Sequence, residues 1–221
     1  MGMADLNESI RHIPIPDHLK GRPISATGNL IPWFVPRDLD GEPIAQAADP
    51  DKLRRAHLYK LCWCCGEPLG AHKAFLLGPM CMVNRITAEP PNHESCAEYA
   101  VRACPFLINP RMKRNPTTPE EHKLPPAGIM LKRNPGAVAI WITHTYLPFR
   151  DPNGGMLFSV GDPISIRFFR EGRPATRTEI LESINTGMPF LLGLAARENA
   201  RAVLELFRQY NRALKLVPED A

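Results

Sequence analysis

Apolar and polar positions alternate with more than one period along this chain, and the period changes mark its elements. Leu53, Ala56, Leu58 and Leu61 recur at helical spacing behind Asp49 and Asp51, which predicts a helix capped by one of those two aspartates and delivering the chain to Cys62. Residues 73–77 and 82–86 are short apolar runs on either side of Gly78-Pro79, a pattern that predicts a β-hairpin. A second helix is expected from His93 to about Ala103, capped by Asn92 and stopped by Pro105. Residues 137–146 place Val138, Ile140 and Ile142 on one face and Ala139 and Trp141 on the other, as a strand buried on both sides would. With residues 156–160 and 164–170, and turns at 151–155 and 161–163, they predict a three-stranded antiparallel meander. Thr176 and Glu179 form a capping box before Ile180, Leu181 and Ile184; Gly187 reads as that helix's stop, and Pro189 as the first turn of a last helix carrying Leu204, Phe207 and Tyr210.

The fold class expected is α+β: a treble-clef-like zinc finger (knuckle, β-hairpin, helix) followed by a small antiparallel β-meander covered by a C-terminal helical hairpin. The 24 prolines, about twice the usual frequency, sharpen the boundaries. They concentrate in an extended arm over residues 1–50 and a basic linker over 110–136, leaving a zinc-finger unit at 51–109 and the meander with its helices at 137–221. Within the arm, Trp33 and Phe34 are expected to pack on the body, whereas Ile13-Pro14-Ile15-Pro16 could anchor a protein partner.

Six cysteines raise the question of disulfides. The first residues lack the apolar core of a signal peptide and no run reaches the roughly 18 apolar residues of a membrane span, so the expectation is a cytoplasmic chain with reduced thiols. Cys62 and Cys65 stand at the C-x2-C spacing of a zinc knuckle, with Gly66 free to turn backbone amides toward the sulfurs; His93 and Cys96 stand at i and i+3. Cys104 is eight residues beyond Cys96, about 12 Å along a helix, and cannot share its metal. Cys64 points away from the knuckle ligands. The fourth ligand is either His93 or Cys81, the latter near the expected hairpin turn. Four protein ligands would make the zinc structural, with no position left for water.

The basic residues Arg111, Lys113, Arg114, Lys132 and Arg133, with a second set at Arg167, Arg170, Arg173 and Arg177, suit phosphate contacts in a chain of net charge +4. A second reading is a protein-interaction or assembly factor. A third is an HNH-type metal-dependent nuclease, for which His72 and Asn84 are the weak catalytic candidates; the acidic residue such enzymes carry next to the histidine is missing, since Ala71 and Lys73 flank His72. His144 alternates with apolar residues and is expected to be packed within a strand.

The segments CWCCGEPLGAHKAF, GPMCMVNR, AEPPNHESCAEYA and ACPFL, between Cys62 and Leu107, resemble a family of short uncharacterised proteins of bacteria and their phages. The similarity extends to Asn134-Pro-Gly136, Gly161-Asp-Pro163 and residues 171–177. It implies a phage or mobile-element origin and carries no assigned activity.

Overall fold

The fold is that of a computed structural model, which describes residues 5–44, 47–109, 111, 134 and 136–219. Helix α1 (Pro50–Tyr59) starts at Asp49, whose side chain accepts the N–H groups of Asp51 and Lys52, and it ends at Lys60 in the left-handed conformation. Strand β1 (Lys73–Leu77) leads not to a hairpin but to helix α2 (Pro79–Asn84). The reason is local: Gly78 is the N-cap residue, Pro79 fits a first helical turn without needing its missing N–H, and Pro79, Met82 and Val83 bury one side at helical spacing. Strand β2 (Ile86–Thr87) then enters a different sheet from β1, so the treble-clef hairpin is not formed.

Helices α3 (Glu94–Ala103) and α4 (Pro105–Ile108) follow the expected break at Pro105. His93, not Asn92, is the N-cap residue of α3, and Asn92 is buried. The remaining strands are β3 (Val138–Thr143), β4 (Tyr146–Arg150), β5 (Met156–Val160), β6 (Ser165–Arg170) and β7 (Arg173–Pro174). Two antiparallel sheets result, with strand orders β1-β3-β6-β7 and β2-β5-β4.

The expected meander is thus split. The 151–155 turn does join neighbouring strands, β4 and β5, but the chain changes sheet at both ends of that hairpin. On the entry side the Thr143 hydroxyl accepts the N–H of Thr145 and donates to its carbonyl, closing a local turn that ends β3. On the exit side Gly161 lies so close to Thr145 that a Cβ would sit 2.5 Å from its carbonyl oxygen, and Ile164 N–H then donates to Ile142 at 2.7 Å, returning the chain to β3. Pro148 is tolerated in β4 because that strand is a sheet edge.

Strand β3 is buried along its whole length, as its two-faced apolar pattern requires. Ala139 and Trp141 join Phe75, Phe158, Ile180 and Ile184 in the main core; Val138, Ile140 and Ile142 meet Ala97 and Val101 of α3 on the opposite face. A third cluster packs Ile10, Ile13 and Leu19 of the arm on Cys62, Cys64, Cys65 and Cys96. Ile13 is therefore taken up by the protein's own core, and Phe34 stacks on Trp63 at 4.7 Å.

The C-terminal helices also differ from expectation. The Thr176–Glu179 capping box is present, but α5 (Arg177–Glu198) runs through Gly187 and Pro189, and the break comes at Asn199, whose side chain accepts the Ala202 N–H to open α6 (Ala200–Leu214). Gly187 serves close approach rather than termination, since a Cβ there would lie 2.9 Å from the Met80 side chain of α2.

Candidate metal centre

The knuckle is built by backbone before any side chain is considered. Gly66 N–H donates to Cys62 O at 2.9 Å and Cys62 N–H donates to Glu67 O at 2.7 Å, closing a turn that brings Cys62 and Cys65 together. Gly66 is at φ +84, and a Cβ would lie 2.6 Å from the Trp33 ring that covers it, so both conformation and space demand glycine. Asn92 ties this turn to α3. Its carbonyl oxygen accepts Cys64 N–H at 3.0 Å and faces the Cys62 thiol at 3.9 Å, while its backbone exchanges both hydrogen bonds with Ala74 at the start of β1. Trp63 N–H donates to Pro91 O on the same stretch.

These connections bring Cys62, Cys65, His93 and Cys96 into one cluster, with one ligand atom from each and all four within 4.8 Å of one another. The three cysteines are buried and His93 is half-buried. His93 Nδ1 is 3.4 Å from Cys65 Sγ and 3.9 Å from Cys96 Sγ; Nε2 lies 3.0 Å from the Pro68 carbonyl. A proton on Nε2 satisfies that carbonyl and leaves the Nδ1 lone pair for the cluster, the usual arrangement behind a metal-binding histidine. His93 N–H donates to Cys62 Sγ at 3.4 Å and Glu67 N–H to Cys65 Sγ at 3.5 Å. Cys96 lies in the first turn of α3, where the helix dipole favours a thiolate.

The thiols also perturb one another. Cys62 is held far below the usual thiol range because Cys65 and Cys96 donate hydrogen bonds to its sulfur, and the same pairing pushes Cys65 and Cys96 up. Three sulfurs thus compete for one negative charge. A cation touching all three would hold every one as thiolate, so the donor set and its electrostatics fit a metal ion.

The other candidates lie elsewhere. Cys81 is on α2, packed against the main core, and Cys104 caps the C-terminus of α3. Cys64 is buried under the arm, and that burial raises its thiol well above the ordinary value. His72 stands just before β1 and Asn84 at the far end of α2, where its Oδ1 accepts the Ile86 N–H. His144 is exposed just beyond β3 rather than packed within it, 5.1 Å from His72 between ring centroids. Of the first basic set, Arg111 is exposed, whereas Lys113, Arg114, Lys132 and Arg133 lie outside the described residues.

The second basic set is occupied internally. Arg167 bonds Glu94 at 2.8 Å and Glu98 at 3.1 Å, Arg170 bonds Glu182 at 3.1 Å, Arg173 bonds Glu179 at 2.6 Å, and Arg177 donates to the Pro218 carbonyl at 2.6 Å. Phosphate contacts would have to compete with those carboxylates, so these arginines form no open anion-binding face. Two residues that matter to the centre had no local signal. His18 stacks on His93 with centroids 4.0 Å apart and planes 7° from parallel, and its Nδ1 is 2.6 Å from Glu67 Oε2; 49 positions separate that pair in sequence.

An antiparallel α+β fold with a Cys3His cluster able to hold a metal ion defines the chain. No protein-family model, curated protein or solved structure matches it. Among the described residues no helix is long and apolar enough to cross a membrane.

Proposed function

We propose that the chain is a non-catalytic zinc protein in which Cys62, Cys65, His93 and Cys96 hold one structural Zn2+, and that it acts by binding nucleic acid as an accessory factor of phage or mobile-element origin. The observation that carries the zinc reading is the cluster's spacing. Zn–S bonds of about 2.3 Å and Zn–N bonds of about 2.0 Å at tetrahedral angles separate nitrogen from sulfur by about 3.5 Å, and His93 Nδ1 lies 3.4 and 3.9 Å from two of the sulfurs. Four protein donors complete such a sphere, which suits a structural rather than a hydrolytic ion. The ion would join the turn at Cys62–Cys65 to the start of α3, two stretches that the Trp63 N–H bond to the Pro91 carbonyl and the Asn92 side chain also tie together. The phage origin rests on the resemblance of the Cys62–Leu107 segments.

The nucleic-acid reading is supported by the net charge of +4 and by the basic run around Arg111 to Arg133. Metal analysis of purified protein should return one zinc per chain, and Cys62→Ser should lose it. Retention of stoichiometric zinc by that variant would remove the assignment. Binding of a labelled oligonucleotide, titrated with salt, tests the partner; no affinity at low salt would end the nucleic-acid reading and leave the zinc reading standing.

A further inference from the structure

We infer that the outer face of α6 is a single-stranded nucleic-acid interface; this rests on the nucleic-acid reading above and locates it. Successive helical residues turn by about 100°, which places Arg201, Arg208, Arg212 and Lys215 within an arc of about 60° over a rise of about 21 Å. All four are exposed. Arg201, Arg212 and Lys215 have no carboxylate partner among the described residues, and Arg208 has only Glu205, one turn back at 3.5 Å. This sets α6 apart from β6 and β7, whose arginines are neutralised by glutamates. One helix thus presents a row of cations that remains available to phosphates.

The apolar neighbours of that row decide between partners. Leu204 and Phe207 lie along one flank of the arc and are 60% and 45% exposed, large values for side chains of their type. A helix that enters a lipid surface has its apolar residues at the centre of the free face and cations at the rim. Here the two lie side by side: the cations fill one half of the exposed arc and Leu204 and Phe207 the other, while the rest of the helix's apolar side, including Leu206 and Ala213, is spent on the main core. An aromatic ring beside a cationic row is what an unstacked base requires, while the phosphates follow the cations. At the C-terminal end of the row a cavity of about 60 Å3 opens between α2 and α6, lined in part by Asn84, Arg85, Gln209 and Arg212. Of these, Arg85 is already paired with Asp162 at 2.6 Å, so Asn84, Gln209 and Arg212 supply the polar groups where the strand would leave the helix.

The test uses the full zinc-loaded chain and a fluorescein-labelled 20-nucleotide single strand, with the affinity measured across a salt series. The triple variant Arg201→Ala/Arg212→Ala/Lys215→Ala should bind at least tenfold more weakly and lose about 2 from the slope of log K against log salt, since each single-strand phosphate contact contributes about 0.7. Phe207→Ala should weaken binding about tenfold with the slope unchanged. These substitutions are on the surface, and circular dichroism melts confirm that the variants fold. If the wild type binds and the triple variant matches it in affinity and slope, the α6 assignment is overturned while the nucleic-acid reading stands. If the wild type binds no nucleic acid, both fall. Tighter binding to phosphatidylserine vesicles than to the oligonucleotide, lost in the triple variant, would overturn the nucleic-acid assignment in favour of a membrane surface.

Discussion

Replacing Asn92 with alanine tests how the candidate metal centre is held together. This side chain is 4% exposed and accepts Cys64 N–H at 3.0 Å, facing the Cys62 thiol at 3.9 Å. Alanine leaves the Cys64 amide without an acceptor in a place closed to solvent by the arm, and an unmade buried hydrogen bond costs about 1–3 kcal/mol. The loss should lie near the middle of that range, about 2 kcal/mol, because the strands flanking the site keep their own bonds: Ala74 and Asn92 still exchange backbone hydrogen bonds. With a urea slope of about 2 kcal/mol/M, the unfolding midpoint should fall by about 1 M. Metal retention against a chelator should weaken about tenfold, the lower end of what supporting hydrogen bonds contribute at metal sites. Asn92→Leu, which restores volume but no acceptor, should recover little of either. A midpoint within about 0.2 M of wild type for Asn92→Ala would refute the claim that this acceptor positions the knuckle. Recovery by leucine would show that filled volume rather than the hydrogen bond is what matters.

Other outcomes follow from the same geometry. Cys62→Ser and Cys96→Ser should lose metal and folded structure together, followed by metal analysis and circular dichroism, whereas Cys104→Ser should keep its metal because it lies at the other end of α3. Gly66→Ala should lower the melting temperature by about 4–8 °C, corresponding to about 2 kcal/mol in a chain of this size, because its Cβ would meet the Trp33 ring at a positive φ; an unchanged melt would mean that Trp33 moves aside freely. Glu179 accepts from Arg173 and from Thr176 N–H, which lowers its carboxyl to about 2 from the ordinary 4.5. A depressed folded value means its stabilisation is complete above about pH 4.5 and is lost as pH falls toward 2. The stability difference between wild type and Glu179→Gln, read from urea melts, should therefore shrink across that window, and a difference constant with pH would contradict it.

Local signals carried part of this protein, and tertiary contacts decided the rest. The cap at Thr176, a cap at Asp49 or Asp51, the stop at Pro105, the two-faced burial of β3 and the grouping of Cys62, Cys65 and Cys96 with either His93 or Cys81 were legible because each depends on residues within a few positions, or on a spacing that metal ligation favours; the structure chose Asp49 and His93. Residues 82–86 read as a hairpin strand because the run is too short for periodicity to arbitrate, and Gly78-Pro79 serves a helix start as well as it serves a turn; the helix takes residues 79–84 and leaves Ile86 to β2. Gly187 looked like a helix stop, yet its missing side chain answers to Met80 of α2, a neighbour remote in sequence. The same distance hid His18, whose place over His93 depends on how the arm wraps the knuckle, and it hid the pairing of Arg167 with Glu94 and Glu98. A charge or a glycine has no fixed meaning along the chain. Its partner gives it one, and only the folded structure brings the partner within reach.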